Sequence, residues 1–255
     1  MKKIVNKSNV LYFLILIFFK SAFANENINQ FKVEADKSIE YFEKQKIYVA
    51  SGNAKASKGN FYLNAEKIKA FISETSRSNI SDIEAIGNVI IKSQGTVAKS
   101  DFARYDFYKK IILLKGKAQS VKSKKFKLQS KKFISFDDIN KIAESEGDVR
   151  LFLSGPISIS SKRISANFDK INNTLISASA KGNVKIQTKS ETITCNSAKY
   201  DNKTDIIILK GNVAIKRNNT ILTGEKGYMN LKTRKSKIES SKSQRVKGIF
   251  KPLKK

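Results

Sequence analysis

The chain of 255 residues has no histidine, no tryptophan, one cysteine and two prolines, and only 22 acidic residues against 50 lysines and arginines. Each shortage excludes something. Without histidine, the commonest general base and the commonest metal ligand are missing together. With Cys195 as the sole thiol, neither a zinc cluster nor an internal disulfide can form, and the simplest role for Cys195 is that of a small buried hydrophobe. No GxxxxGK[ST] or GxGxxG phosphate loop occurs. Asp137 and Asp138, or the recurrent turn aspartates, are the candidates for a glycosidase carboxylate pair. The aspartates recur at equivalent repeat positions, as turn residues do, so no enzyme is expected, and no catalytic residue, metal or cofactor is assigned.

Long apolar runs are nearly absent too. The one candidate, Val10 to Phe19, follows a basic stretch from Met1 to Lys7 and precedes Ala22-Phe23-Ala24. It is shorter than the about 20 residues that span a bilayer, and its flanks fit a secretory signal over 1–24, with Asn25 as the mature start. An uncleaved membrane anchor is the alternative. The expectation is one exported domain over 25–252 with a basic tail at 253–255. A net charge of +28 attracts polyanions. Nucleic acid is not the expected partner of an exported chain; anionic glycolipid, phospholipid surface or acidic polysaccharide is. Lysine far outnumbers arginine, and isoleucine and asparagine are common, so biased base composition accounts for part of the excess.

What is present is a repeat. Tyr41 and Gly52, Tyr105 and Gly116, Phe136 and Gly147, and Tyr200 and Gly211 stand at one common interval. Phe71 with Gly87 and Phe168 with Gly182 are stretched versions, and Tyr228 begins a remnant without glycine. Seven anchors spaced by about 30 residues are the signature of a stacked architecture in which no unit buries its apolar face alone. Two segments align without a gap: Asp101 to Gly116, and Asn196 to Gly211. In each, four residues of hairpin length precede a β-branched run that reads as a strand. Asp106, Asp169 and Asp201 sit where a carboxylate accepts turn amides. After the glycine comes Asn, Lys or Asp and then Val or Ala, which predicts a bulge or corner repeated at every turn. The anchor aromatics read most simply as a stacking ladder of the repeat.

Apolar residues alternate beyond each corner, in Val89 and Ile91, Phe61 and Leu63, and Phe126 and Leu128. Side chains two apart share a face, so these are expected to line one interior, with Ile47 and Val49 placed inward by the same alternation. No sustained apolar pattern at helical spacing occurs. The fold class is therefore all-β, an elongated open solenoid of stacked antiparallel strands in about seven units. Its ends leave unpaired edges, around Phe31 and Val33 at one and Ile249 and Phe250 at the other, suited to β-augmentation by another sheet.

The motifs Val33-Glu-Ala-Asp36, Ala50-Ser-Gly-Asn-Ala54, Asn64-Ala-Glu66, Ala85-Ile-Gly-Asn-Val89 and Leu209-Lys-Gly-Asn-Val213, in this order, resemble the OstA-like family over about residues 29–252. The closing Arg245 to Pro252 also looks like the ending of many members. The resemblance implies a β-jellyroll open at both ends, periplasmic and non-enzymatic. It implies transfer of lipopolysaccharide, through its lipid A portion, between inner-membrane and outer-membrane transport proteins of related fold, with end-to-end self-association. It places Phe31, Val33, Phe61 and Leu63 on the groove face. The chain is longer than usual for that family by around two half-units. Two other readings stand beside this one: an exported structural or adhesive solenoid binding acidic polysaccharide, and the membrane-anchored inner-membrane partner of the same system.

Overall fold

The computed structural model describes residues 32–73, 80–153, 155–233, 235–240 and 245–250. The expected signal segment 1–24, Phe31 and the tail 253–255 lie outside the described residues. Chain contacts separate two compact units, one ending at Gly147 and the other starting at Asp148.

In the first unit the strands are β1 (Lys32–Glu34), β2 (Ser38–Phe42), β3 (Ile47–Lys58), β4 (Phe61–Ile72), β5 (Ile80–Ser93), β6 (Thr96–Asp106), β7 (Ile111–Lys115), β8 (Gln119–Lys122), β9 (Phe126–Ser130) and β10 (Phe133–Asp137). The start of β11 (Ile142–Leu153) pairs with β10. Consecutive passes are antiparallel: β3 with β4, β4 with β5, and β5 with β6. Broken passes keep the same order. β1 and β2 both pair with β3, and β7 and β8 both pair with β6. The second unit repeats the pattern with β12 (Ser158–Phe168), β13 (Leu175–Gln187), β14 (Glu191–Asp201), β15 (Ile206–Arg217) and β16 (Thr220–Asn230), each antiparallel to the next. It ends on β17 (Lys235–Glu239) and β18 (Lys247–Phe250), both paired with β16. The fold is all-β, a jellyroll of stacked antiparallel strands, and a single 3-10 turn at Glu43–Gln45 is the one helical element among the described residues.

The corners explain the glycine repeat. Between Ile86, opposite Phe102, and Val89, opposite Ser100, two residues of β5 face one of β6. That is a bulge, and it bends the pass. Gly87 takes φ +79° and Asn88 φ +47°, a left-handed pair in which glycine costs least and asparagine next least. The same pairing of signs recurs at Gly211 (φ +74°) and Asn212 (φ +51°). Backbone angle alone does not exhaust the demand for glycine. A Cβ on Gly211 would lie 2.5 Å from Asn196 Nδ2 and 2.9 Å from its Cγ, because that side chain of the paired strand β14 lies over the corner.

The neighbour's side chain closes the corner. Asn88 Nδ2 donates to Glu66 Oε1 at 2.6 Å, Asn53 Nδ2 to Asp36 Oδ2 at 3.2 Å, and the Lys117 amide to Asp101 Oδ2 at 2.7 Å. The carboxylates of Ala35-Asp36 and Ala65-Glu66 are thus partners of the bulges in β3 and β5, and Asp101 does the same for the break between β7 and β8.

The hairpins at the other end are held by side-chain caps, as expected. Asp106 Oδ1 accepts the amides of Tyr108 (3.0 Å) and Lys109 (2.8 Å), and Asp169 Oδ1 accepts those of Ile171 and Asn172. Asp201 and Asn230 do the same for Thr204 and Thr233. These turn amides hold the exposed Asp169 and Asp201 carboxyls below the usual carboxylate range.

Candidate functional site

In the first unit the bend divides every pass into two halves, each with one buried face. One buried column runs through Ala50, Ile68, Ala85, Ala103, Leu114 and Ile134. The other runs through Ala56, Leu63, Ile91, Ala98, Val121 and Leu128. Alanine recurs between larger residues in both columns.

Leu63, Val89, Ile91, Phe126 and Leu128 are buried, and Phe61 is half-buried, on this inner face. Val33 continues the column of Leu63 through Ala56 but stands 40% exposed, since β1 has no neighbour on its far side among the described residues. Phe31 lies outside the described residues. Ile47 and Val49 have the opposite phase to that expected. Val49 is paired with Lys69, which is paired with Glu84 and then Arg104, so it shares the outward face of β3. The physical reason is that Ile47-Tyr48-Val49-Ala50 is apolar on both sides. Alternation there carries no phase, and the crowded interior takes the small Ala50 instead.

The anchor aromatics do not form a continuous ladder. Tyr105 pairs with Ile112, and Ile112 with Phe136, so an isoleucine separates the two rings. Tyr41 stacks on Tyr48 at a centroid distance of 4.5 Å, and Tyr105 meets Phe107 edge-on at 4.8 Å. The Tyr41–Tyr48 stack is exposed where the inner face reaches the edge of β2. Tyr105 lies deeper, and burial, with Asp138 and Asp106 nearby, pushes its hydroxyl pKa up to about 12.

Sequence reasoning missed a polar stripe in this interior. Gln119 is 1% exposed, and its amide oxygen and nitrogen, with the hydroxyls of Thr96 and Ser100, have no hydrogen-bond partner among the described residues. An orphaned buried polar group costs roughly 1–3 kcal/mol. The available signal was polar residues in the inward phase of Thr96-Val97-Ala98 and Gln119-Ser120-Val121.

The second unit has its own interior. Val184, Ile186, Ile193, Cys195, Leu209 and Val213 form its packed centre. Burial pushes the Cys195 thiol pKa up to about 11. Beside this centre is an apolar cavity of about 90 Å³, lined among others by Leu151, Ile159, Ile164, Leu175, Tyr200 and Ile207. At the last strand, Ile249 is exposed and Phe250 is 72% exposed, with β18 paired only to β16 among the described residues.

The glycosidase candidates are occupied otherwise. Asp137 accepts the Ile139 and Asn140 amides, and Asp138 pairs with Lys141. Among the described residues no cluster of three metal-ligating side chains occurs, and no helix is long and apolar enough to cross a membrane.

Comparison with known proteins bears on this geometry. None of the curated proteins matches the chain. Among solved structures, LptH, described as the LptA homologous periplasmic component of the lipopolysaccharide transport device of Pseudomonas aeruginosa, is 12% identical with a TM-score of 0.23, covering 88% of this chain and 96% of that one. The family described as LptA/(LptD N-terminal domain) LPS transport protein matches twice, over residues 32–135 and 127–235. On that coverage, the chain belongs to the LptA/(LptD N-terminal domain) family of LPS transport proteins.

Proposed function

We propose that the chain is a periplasmic, LptA-type bridge that carries lipopolysaccharide from an inner-membrane complex to an outer-membrane translocon, without enzymatic activity. The observation that supports the reading best is the inner face of the first unit. It carries a continuous apolar column, buried at Leu63 and Ile91, that comes to the surface at Val33, and on the other half of the pass the Tyr41–Tyr48 stack is exposed. Acyl chains of lipid A gain about 0.8 kcal/mol per buried methylene on such a face. Phe61, Leu63, Val89, Ile91, Phe126 and Leu128 would line the path, and the orphaned Gln119 amide offers hydrogen bonds to the polar linkages of the acyl chains. Partners of related fold would add strands at the edges, next to β1 in the first unit and at Ile249 and Phe250 of β18 in the second, each of which is paired on one side only among the described residues.

Binding of purified lipopolysaccharide to the mature protein at rising salt tests this. Acyl burial predicts binding that persists at high ionic strength. Complete loss at high salt refutes the groove, because only exposed charge pairs are screened so strongly, and leaves the polysaccharide-binding solenoid as the better account. A mature N-terminus at Asn25 excludes the membrane-anchored partner.

A further inference from the structure

The excess positive charge is not spread evenly over the first unit. On the outward face of the half beyond the corners, cross-strand pairing lays out two rows. One runs from Lys32 through Ser57, Tyr62, Lys92 and Val97 to Lys122 and Lys127. The other runs from Glu34 through Lys55, Asn64 and Ile90 to Lys99 and Ser120. The turn between β8 and β9 adds the exposed Lys124. Glu34 is the one carboxylate in these rows, and it is held by Lys32 at 2.7 Å. No carboxylate among the described residues pairs with Lys92, Lys99, Lys122 or Lys127.

The outward face of the other half is different. Asp82, Glu84, Asp106, Asp137, Glu144 and Glu146 offset Lys67, Lys69, Arg104 and Lys115 there, with Asp82 bonded to Arg104 at 2.7 Å and Glu146 paired with Lys132. Lysines occur on both halves, Lys44, Lys109 and Lys110 of the hairpin turns included; what separates the two is the carboxylates, which gather on the balanced half and leave Glu34 alone in the lysine rows. Lys122 and Lys127 stand directly opposite one another in an antiparallel pair, an arrangement that destabilises a sheet unless something compensates it. Strands lie about 4.8 Å apart, so Lys122 and Lys127 fall within a Debye length of ~8 Å, and Lys92, two strands from Lys122, stands about 10 Å away, near enough for the fields to add.

We propose that this face docks on an anionic lipid bilayer surface. The chemistry that fits it is a plane of phosphate headgroups. Tyr62, 51% exposed amid the lysines, supplies an amphipathic ring of the kind that sits at headgroup level, and the half-buried Ile90 and Val97 supply short apolar contacts between the charges. The apolar Ile90 and Val97 between the charges have an apolar boundary to meet at a bilayer and none along a soluble acidic polysaccharide. The inference does not depend on the lipid-carrier reading, since the inner face takes no part in it.

Co-flotation of the mature protein with phosphatidylglycerol-containing vesicles, against pure phosphatidylcholine vesicles, tests it. Binding to the anionic vesicles only is expected. Each lysine at such a surface contributes roughly fivefold in partitioning, so Lys92→Glu, Lys122→Glu and Lys127→Glu together should reduce binding by at least about a hundredfold. The control variant Lys44→Glu, Lys67→Glu and Lys115→Glu carries the same charge change on the other half and should bind nearly as wild type. Equal loss in both triples would reduce the effect to net charge and overturn the proposal, as would no binding to anionic vesicles. Equal affinity for dextran sulfate with no effect of Tyr62→Ser would also overturn it, in favour of a soluble polyanion. Far-UV circular dichroism confirms that each variant is folded, and salt-resistant lipopolysaccharide binding by the first triple separates this result from failure of the carrier reading.

Discussion

Replacing Gly211 with alanine strikes the corner twice, through backbone and through space. At φ +74° an alanine carries the left-handed cost of roughly 1–2 kcal/mol. Its Cβ would also lie 2.5 Å from Asn196 Nδ2, 2.9 Å from Cγ and 3.0 Å from Cβ, an overpacking that typically costs about 1–3 kcal/mol. The expected destabilisation is therefore about 2–5 kcal/mol. Gly59 separates the two contributions, because it has φ +53° but nothing within 4 Å of where an added methyl would stand, so Gly59→Ala should cost only the backbone part. Urea unfolding followed by far-UV circular dichroism measures both, since the chain has no tryptophan to report. The double variant Asn196→Ala, Gly211→Ala should recover at least about 1 kcal/mol relative to the sum of the single changes, because the two nearest crowding atoms, Nδ2 and Cγ, have gone and only the Cβ at 3.0 Å remains. Equal losses at Gly59 and Gly211, together with strict additivity at Asn196, would refute the claim that the neighbouring strand selects glycine at the corner.

Further outcomes follow from individual groups. Gln119→Leu should stabilise the unliganded protein by about 1–3 kcal/mol in the same urea assay, since it removes an orphaned amide from the interior, and should weaken lipopolysaccharide binding if the stripe contacts the ligand. The Cys195 thiol should resist Ellman's reagent at pH 8 in the folded protein and react once unfolded, because burial holds it protonated with a pKa of about 11. That raised pKa contributes stability fully present below the ordinary thiol value and lost as pH rises towards 11, and Tyr105 adds an alkaline loss of the same sign towards 12. At acid pH the sign reverses. Asp169 and Asp201 are held below the usual range by turn amides, so their stabilisation is present above the ordinary carboxylate pKa and is lost as pH falls through the depressed one. Asp201→Asn should flatten that acid limb in a urea midpoint series against pH.

The all-β class, the turn aspartates and the corner glycines were legible because each rests on a local rule. Asp106 and Asp169 cap their own hairpins, and Gly87 with Asn88 needs left-handed backbone whatever surrounds it. The partner of each corner was not legible, since Glu66 meets Asn88 only after the register of β4 and β5 is set. Phase failed at Ile47 and Val49, where both faces are apolar, and succeeded at Leu63 and Ile91, where polar residues mark the outside. The charge partition was hidden in composition. Lys92, Lys122 and Lys127 come together only through cross-strand pairing with Val97 between them.

The central claim is that the inner face, and not the outer one, carries the lipid. Site-specific photo-crosslinking from Leu63, which is 3% exposed, and from Lys69 on the outward, charge-balanced face of the same strand tests it most directly. The account predicts lipopolysaccharide adducts from Leu63 alone. Adducts from both positions, from Lys69 alone or from neither would contradict it.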